Sequence, residues 1–86
     1  MLFHAGITSR FSATGVVTVL NHDDNRLVVV VSQDAGAGEA PSTLIIHGQM
    51  FEQPLPPINH IVVLGGNVLS VRWAEAYVAI ENLTVL

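Results

Sequence analysis

The sequence predicts an all-β fold, a small antiparallel sandwich or barrel of five to six strands that forms a single domain over residues 1–86. Three observations support this prediction. The chain has 86 residues, which is room for one domain with one hydrophobic core. Its apolar segments are short and rich in valine and isoleucine, as strands are. Turn-forming residues separate these segments.

The first half of the chain contains the two clearest strands. Residues 14–20 and 26–32 are predicted to be strands, and the Asn- and Asp-rich segment 21–25 between them is predicted to be a hairpin turn. Asparagine and aspartate favour this turn because they tolerate left-handed backbone and bond their own backbone. The segment 34–41 consists mainly of small residues and is predicted to be a mobile loop.

In the second half, a third strand is predicted over residues 42–47, with Gly48 marking a bulge or a break. The proline-rich segment 54–57 is predicted to be an extended crossover. Strands over residues 60–64 and 67–71 flank Gly65-Gly66, which predicts a tight hairpin because glycine readily adopts positive φ angles.

The C-terminal segment allows two interpretations. Residues 77–80 and 83–86 have the composition of strands. Trp73, Tyr77 and Ile80 also recur at helical spacing, so one short helix near residues 70–80 is the alternative. Strands are favoured.

Two apolar segments predict self-association. Successive residues are apolar over 27–31 and 61–64, and strand side chains alternate between faces, so both faces of these strands are apolar. Charged residues make up only 12% of the chain, which leaves little charge to cover its surface. Either the strands curl into a small barrel or sandwich, or a second subunit covers them. We expect a homo-oligomer.

The charge of the chain argues against nucleic acid as a partner. The sequence is acidic, with a net charge of −4, no lysine, and only Arg10, Arg26 and Arg72 as permanent cations. This composition lacks the cluster of positive charges that binds phosphate backbones. No apolar run is long enough to cross a bilayer and no signal-peptide pattern is present, so no membrane partner is expected. The expected location is the cytoplasm, of a cell or of an infected host.

No motif in the sequence predicts catalysis, and no catalytic residue, cofactor or metal site is assigned. The absence of cysteine excludes disulfides, thiolate nucleophiles and sulfur-based metal sites. The histidines lack the spacing of metal ligands, and no serine lies in a nucleophile elbow. The four histidines are His4, His22, His47 and His60.

The function expected from these observations is that of a non-enzymatic, homo-oligomeric binding protein that occupies a protein partner, as a small inhibitor or an assembly subunit does. Arg72, Trp73 and Tyr77 are the candidate contact residues, because arginine, tryptophan and tyrosine are enriched at interface hot spots. Trp73 could instead be the largest residue of the core.

Two alternatives remain open. The first is a binder of a small molecule or nucleotide in pockets between subunits, lined by loop residues such as Arg10, His22 and Arg72. The second is a small hydrolase or metal enzyme.

Overall fold

The computed structural model of the protein describes residues 3–5, 9–33 and 42–86. These residues form six strands: β1 (Phe3–Ala5), β2 (Arg10–Asn21), β3 (Arg26–Gln33), β4 (Ser42–Met50), β5 (Ile61–Arg72) and β6 (Glu75–Val85). Residues 70–80 lie in β5, a turn and β6, so the helix alternative is wrong. Within the described ranges, no helix is present that could cross a bilayer.

Five of the strands close into a barrel. Hydrogen bonds join them in the order β2-β3-β4-β6-β5, and β5 pairs with β2 again. All pairs are antiparallel except β4 with β6. The order β5-β2-β3-β4 is that of a Greek key, and β6 fills the gap between its outer strands. The prediction of a small all-β barrel is therefore confirmed, and β1 adds a short sixth strand beside β2.

Strand β2 is long because it pairs with two strands of the barrel. Its first half pairs with β5 and its second half with β3, and a register shift between Val17 and Val19 marks a bulge. At Gly15 strand β2 approaches β3 closely, since a Cβ atom there would lie 2.5 Å from the carbonyl oxygen of Val30. The close approach therefore requires a residue without a side chain.

The core lies inside the barrel and follows the alternation of side chains along each strand. In β3, Leu27, Val29 and Val31 are buried, whereas Val28 and Val30 are on the outer side and only half-buried. Closure of the barrel thus covers one apolar face of each strand and leaves apolar residues on the other. The buried hydrophobic residues that form the core are Phe11, Ala13, Val17, Leu27, Val29, Val31, Leu44, Ile46, Met50, Val62, Leu64, Ala76, Val78 and Ile80.

The turn between β2 and β3 is confirmed. The side-chain oxygen of Asn21 accepts hydrogen bonds from the backbone N–H groups of Asp23 at 3.1 Å and Asp24 at 3.3 Å. Asn25 has a φ of 56° and donates from its side chain to the carbonyl oxygen of Met50 at 2.7 Å. Asparagine therefore shapes the turn and also ties it to the end of β4.

The prediction of a hairpin at Gly65-Gly66 is wrong. β5 continues through both glycines, which lie at a register shift against β6. A Cβ atom on Gly66 would overlap the carbonyl oxygen of Ala79, so glycine is needed here for close approach between strands. Glycine is favoured both in turns and where two strands approach closely, and the local sequence does not distinguish these two settings. Gly48 is a similar case: β4 runs through it, and a Cβ atom there would overlap the Ile80 side chain.

Two further predictions concern the connections. Residues 54–57 lie between β4 and β5 and form no strand, as a crossover requires. The crossover is held to β2, since Asn59 N–H donates to the Val17 carbonyl at 2.7 Å and Val17 N–H donates to the His60 carbonyl at 3.0 Å. The predicted loop at residues 34–41 lies outside the described residues.

Candidate functional site

The β5–β6 hairpin ends in a two-residue turn formed by Trp73 and Ala74. Trp73 is 98% exposed and has a φ of 53°. A bulky residue with positive φ is uncommon, because its Cβ atom crowds the backbone and glycine is favoured at such positions. The alternative that Trp73 belongs to the core is therefore wrong. The hairpin holds the indole out in solvent.

A row of side chains crosses the outer surface of the barrel below this hairpin. The strand registers pair Val19 with Val28, Val28 with His47, and His47 with Tyr77. Leu69 lies at the end of the row. It is the extra, unpaired residue of a bulge in β5, and Ser70, which follows it, pairs with Tyr77. Because paired residues share a face of the sheet, these five side chains form one band.

Two aromatic rings form the centre of the band. The ring centroids of His47 and Tyr77 are 4.6 Å apart and the ring planes are inclined by 10°, which is a stacked arrangement. His47 Nε2 also lies 3.0 Å from a carboxylate oxygen of Glu75. This contact holds the imidazole in place against the phenol ring, so the stacked pair forms one rigid aromatic unit.

The band forms part of a groove with a volume of about 270 Å³. Its lining is mainly apolar, with polar groups from the β2–β3 end. Gln49 in the groove donates from Nε2 to the Asp24 carbonyl at 3.1 Å, which joins the groove wall to the β2–β3 turn. The lining residues are Val19, Asn21, Arg26, Leu27, Val28, His47, Gly48, Gln49, Leu69, Tyr77 and Val78.

The charged groups near the groove are few and mixed in sign. Arg26 is the permanent cation in its lining, and Arg72 lies at the hairpin tip, paired in register with Glu75. Neither arginine forms an ion pair with another residue of the described ranges. Asp23 and Asp24 lie in the turn at the other end of the groove. The groove therefore carries no strong field of either sign.

The residues predicted from the sequence are only partly brought together. Tyr77 lines the groove, while Arg72 and Trp73 lie at the tip of the same hairpin. His22 is exposed in the β2–β3 turn, beside groove-lining Asn21 but not in the groove.

Arg10 lies apart from this group. Its guanidinium is 2.7 Å from a Glu81 carboxylate oxygen and donates to the Asn67 side-chain oxygen at 3.3 Å. Neither partner lines the groove. Arg10 therefore belongs to a polar cluster on another part of the surface.

Sequence analysis missed several residues of the site. His47 gave no signal because its partner Tyr77 is distant in the chain and meets it only through the parallel β4–β6 pairing. Val19, Arg26 and Leu69 were likewise assigned only to strands. Outward-facing apolar residues in otherwise alternating strands are the signal that could have identified Val19 and Leu69.

The groove is a candidate binding surface. Across the part of the chain that the structure describes, no three histidine, aspartate or glutamate side chains lie close enough to hold a metal ion. The groove instead offers an apolar surface with two stacked rings and a polar rim. The chain matches no protein-family model, no curated protein and no solved structure, so its function must be inferred from the groove and the hairpin themselves.

Proposed function

We propose that the protein is a non-enzymatic binding protein that seats an apolar or aromatic segment of a protein partner in this groove. The observation that carries the proposal is the open apolar groove with the stacked His47–Tyr77 pair at its centre. Such a protein acts by occupying its partner, as a small inhibitor or an assembly subunit does.

The residue types around the groove support a protein partner. Protein interfaces have an apolar core with aromatic residues and a polar rim. The groove has Tyr77 and valines at its centre and Asn21, Arg26 and Gln49 at one end. Trp73 lies at the tip of the hairpin whose strands line one side of the groove, and tryptophan, tyrosine and arginine contribute most to binding energy at interfaces.

The position of the groove in the barrel gives further support. Five-stranded Greek-key barrels of the oligonucleotide/oligosaccharide-binding class bind ligands on the face of their second and third strands and in the loops between strands 1–2 and 4–5. Here these strands are β3 and β4, and the loops are residues 22–25 and 73–74. The groove lies at the corresponding position in this barrel. This position supports a binding function and does not identify the ligand.

The charges favour a protein over a nucleic acid. Proteins that bind single strands combine aromatic residues with a positively charged groove that follows the phosphates. This groove contains one arginine, Arg26, and the acidic residues Asp23 and Asp24 lie close by in the sequence. Affinity for phosphate backbones depends on several such cations.

A planar small molecule is the second candidate. The stacked pair of His47 and Tyr77 offers an aromatic ring face, and about 270 Å³ is close to the lower end of ligand pockets, roughly 300 Å³. A purine ring or a comparable heterocycle would stack there.

Selection from a phage-displayed library of random peptides tests the proposal. Selected peptides should contain an aromatic residue, and Val19→Glu in the groove should weaken their binding about tenfold or more. Val63→Glu is the matched control, because Val63 is an exposed valine of β5 that does not line the groove. Equal binding by both variants would contradict the proposal. Titrations with AMP and with oligothymidylate identify a small-molecule or nucleic-acid site if either binds instead.

A further inference from the structure

Trp73 lies at the tip of a hairpin whose two strands line part of the groove, but its own side chain does not line the groove. Leu69 and Tyr77, one on each strand of the hairpin, line the groove, whereas the Trp73 side chain is almost fully exposed. At about 3.3 Å per residue, the hairpin tip lies about 13 Å from these two residues. Each copy of the protein thus presents a large free ring and, nearby, an open groove of a size for one ring.

One two-fold rotation brings the two features together in a pair of copies. If two hairpins pack antiparallel, with the axis midway between tip and groove, Trp73 of each copy reaches the groove of the other. A two-fold interface makes every contact twice, so both rings and both grooves are used. We infer that the protein forms a homodimer in which each Trp73 fills the partner copy's groove and stacks near Tyr77.

The area available is consistent with a specific dimer. An aromatic side chain buries about 200 Å² and covers a similar area of its pocket, so two exchanged tryptophans account for about 800 Å². Specific interfaces begin at about 1,200 Å² in total. The remaining area is available from Ser70 and Arg72, which are exposed on the same face of the hairpin as Tyr77.

The charges at the hairpin tip are compatible with this packing. Arg72 and Glu75 pair in register across the tip, so each copy carries one cation and one carboxylate there. In the antiparallel pair, the tip of one copy lies over the groove of the other, so one cation and one carboxylate accompany each Trp73 and the contact carries no excess of either charge. The two-residue turn fixes the backbone of Trp73 before association, so only its side-chain torsions must be ordered.

This inference rests on the proposed function, because it treats the groove as a binding site. Its first occupant is then Trp73 of the second copy. A protein partner must then displace Trp73 of the second copy before it binds. Dimerisation would therefore make the groove less available at high protein concentration, and partner binding would dissociate the dimer.

The test uses the fact that Trp73 is the only tryptophan in the chain. Sedimentation velocity and tryptophan emission are followed over a dilution series of the intact chain. We expect dissociation on dilution, with a shift of the emission to longer wavelength as the indole returns to water. Trp73→Ala and Val19→Glu should each weaken association about tenfold or more, while Val63→Glu should not. Melting curves of all variants verify that they are folded.

Mixing two variants decides whether tryptophan and groove come from different copies. Trp73→Ala keeps the groove and has no tryptophan, whereas Val19→Glu keeps the tryptophan and has a blocked groove. Their mixture should form a heterodimer through one intact contact, and the emission of Val19→Glu should move to shorter wavelength when Trp73→Ala is added. Absence of that shift, or a monomeric wild type at high concentration, would overturn the inference. If the chain dimerises as inferred but selects no groove-dependent peptide, only the proposed partner function fails.

Discussion

His47 and Tyr77 stack face to face across the parallel β4–β6 pair, with ring centroids 4.6 Å apart. The two residues belong to strands that are far apart in the chain, and neither ring is fully buried. The stack therefore exists only in the closed barrel. It gives the outer surface a rigid aromatic element at the centre of the groove.

We predict that this stack contributes to stability. A double-mutant cycle of His47→Ala and Tyr77→Ala should give a coupling of about 0.5–1.5 kcal/mol, the usual value for stacked aromatic pairs. Chemical denaturation at concentrations where the protein is monomeric measures it. Tyr77→Phe is the control, because it retains the ring and should retain the coupling with His47. A coupling of zero would mean that the two rings merely lie side by side.

The positive φ of Trp73 predicts an unusual pattern of substitutions. Trp73→Gly should leave the stability of the monomer unchanged or raise it, because glycine adopts φ of 53° without strain and the indole makes no core contact. Trp73→Val should lower the stability by about 1 kcal/mol or more, because a β-branched residue fits this conformation poorly. Thermal melting of dilute protein compares the two. Equal destabilisation by both would show that the indole itself stabilises the fold.

Arg10 is predicted to act on stability and not on binding. Its ion pair with Glu81 has both side chains about half exposed, 50% and 44%, so Arg10→Ala should cost less than about 1 kcal/mol. The effect should shrink at high salt, since the charges are screened. Binding of a groove-selected peptide should remain within about twofold of wild type. A larger loss of binding would extend the site to this polar cluster.

Gly15 and Gly65 provide a matched pair of glycine substitutions in the barrel. Gly15→Ala should destabilise by about 1–3 kcal/mol, because the added methyl would lie 2.5 Å from the Val30 carbonyl oxygen and backbone cannot move aside easily. Gly65→Ala should cost less, since its nearest neighbour is the Asn82 side chain at 3.0 Å, which can shift. Urea denaturation of both variants measures the difference. If Gly65→Ala lost more stability than Gly15→Ala, strand β2 would be able to move away from β3 at Gly15.

The sequence alone was sufficient for the all-β class and the β2–β3 turn. Alternation of buried and exposed residues and the chemistry of Asn21 and Asn25 act over a few residues, so local sequence reveals them. Cationic and aromatic residues near the end of β5 also marked the hairpin as a candidate contact region. The apolar residues on both faces of 27–31 and 61–64 predicted either a small barrel or sandwich or a covering subunit, and the strands close into a barrel.

The tertiary structure decided what depends on neighbours distant in the chain. Gly65-Gly66 has the local composition of a turn, yet it lies inside β5 because Ala79 approaches it closely from β6. The groove exists because the parallel β4–β6 pairing sets His47 beside Tyr77. Trp73 is exposed because the hairpin turns at that residue. Strand register and barrel closure are determined by the fit of many contacts between separate segments, and no short segment contains that information.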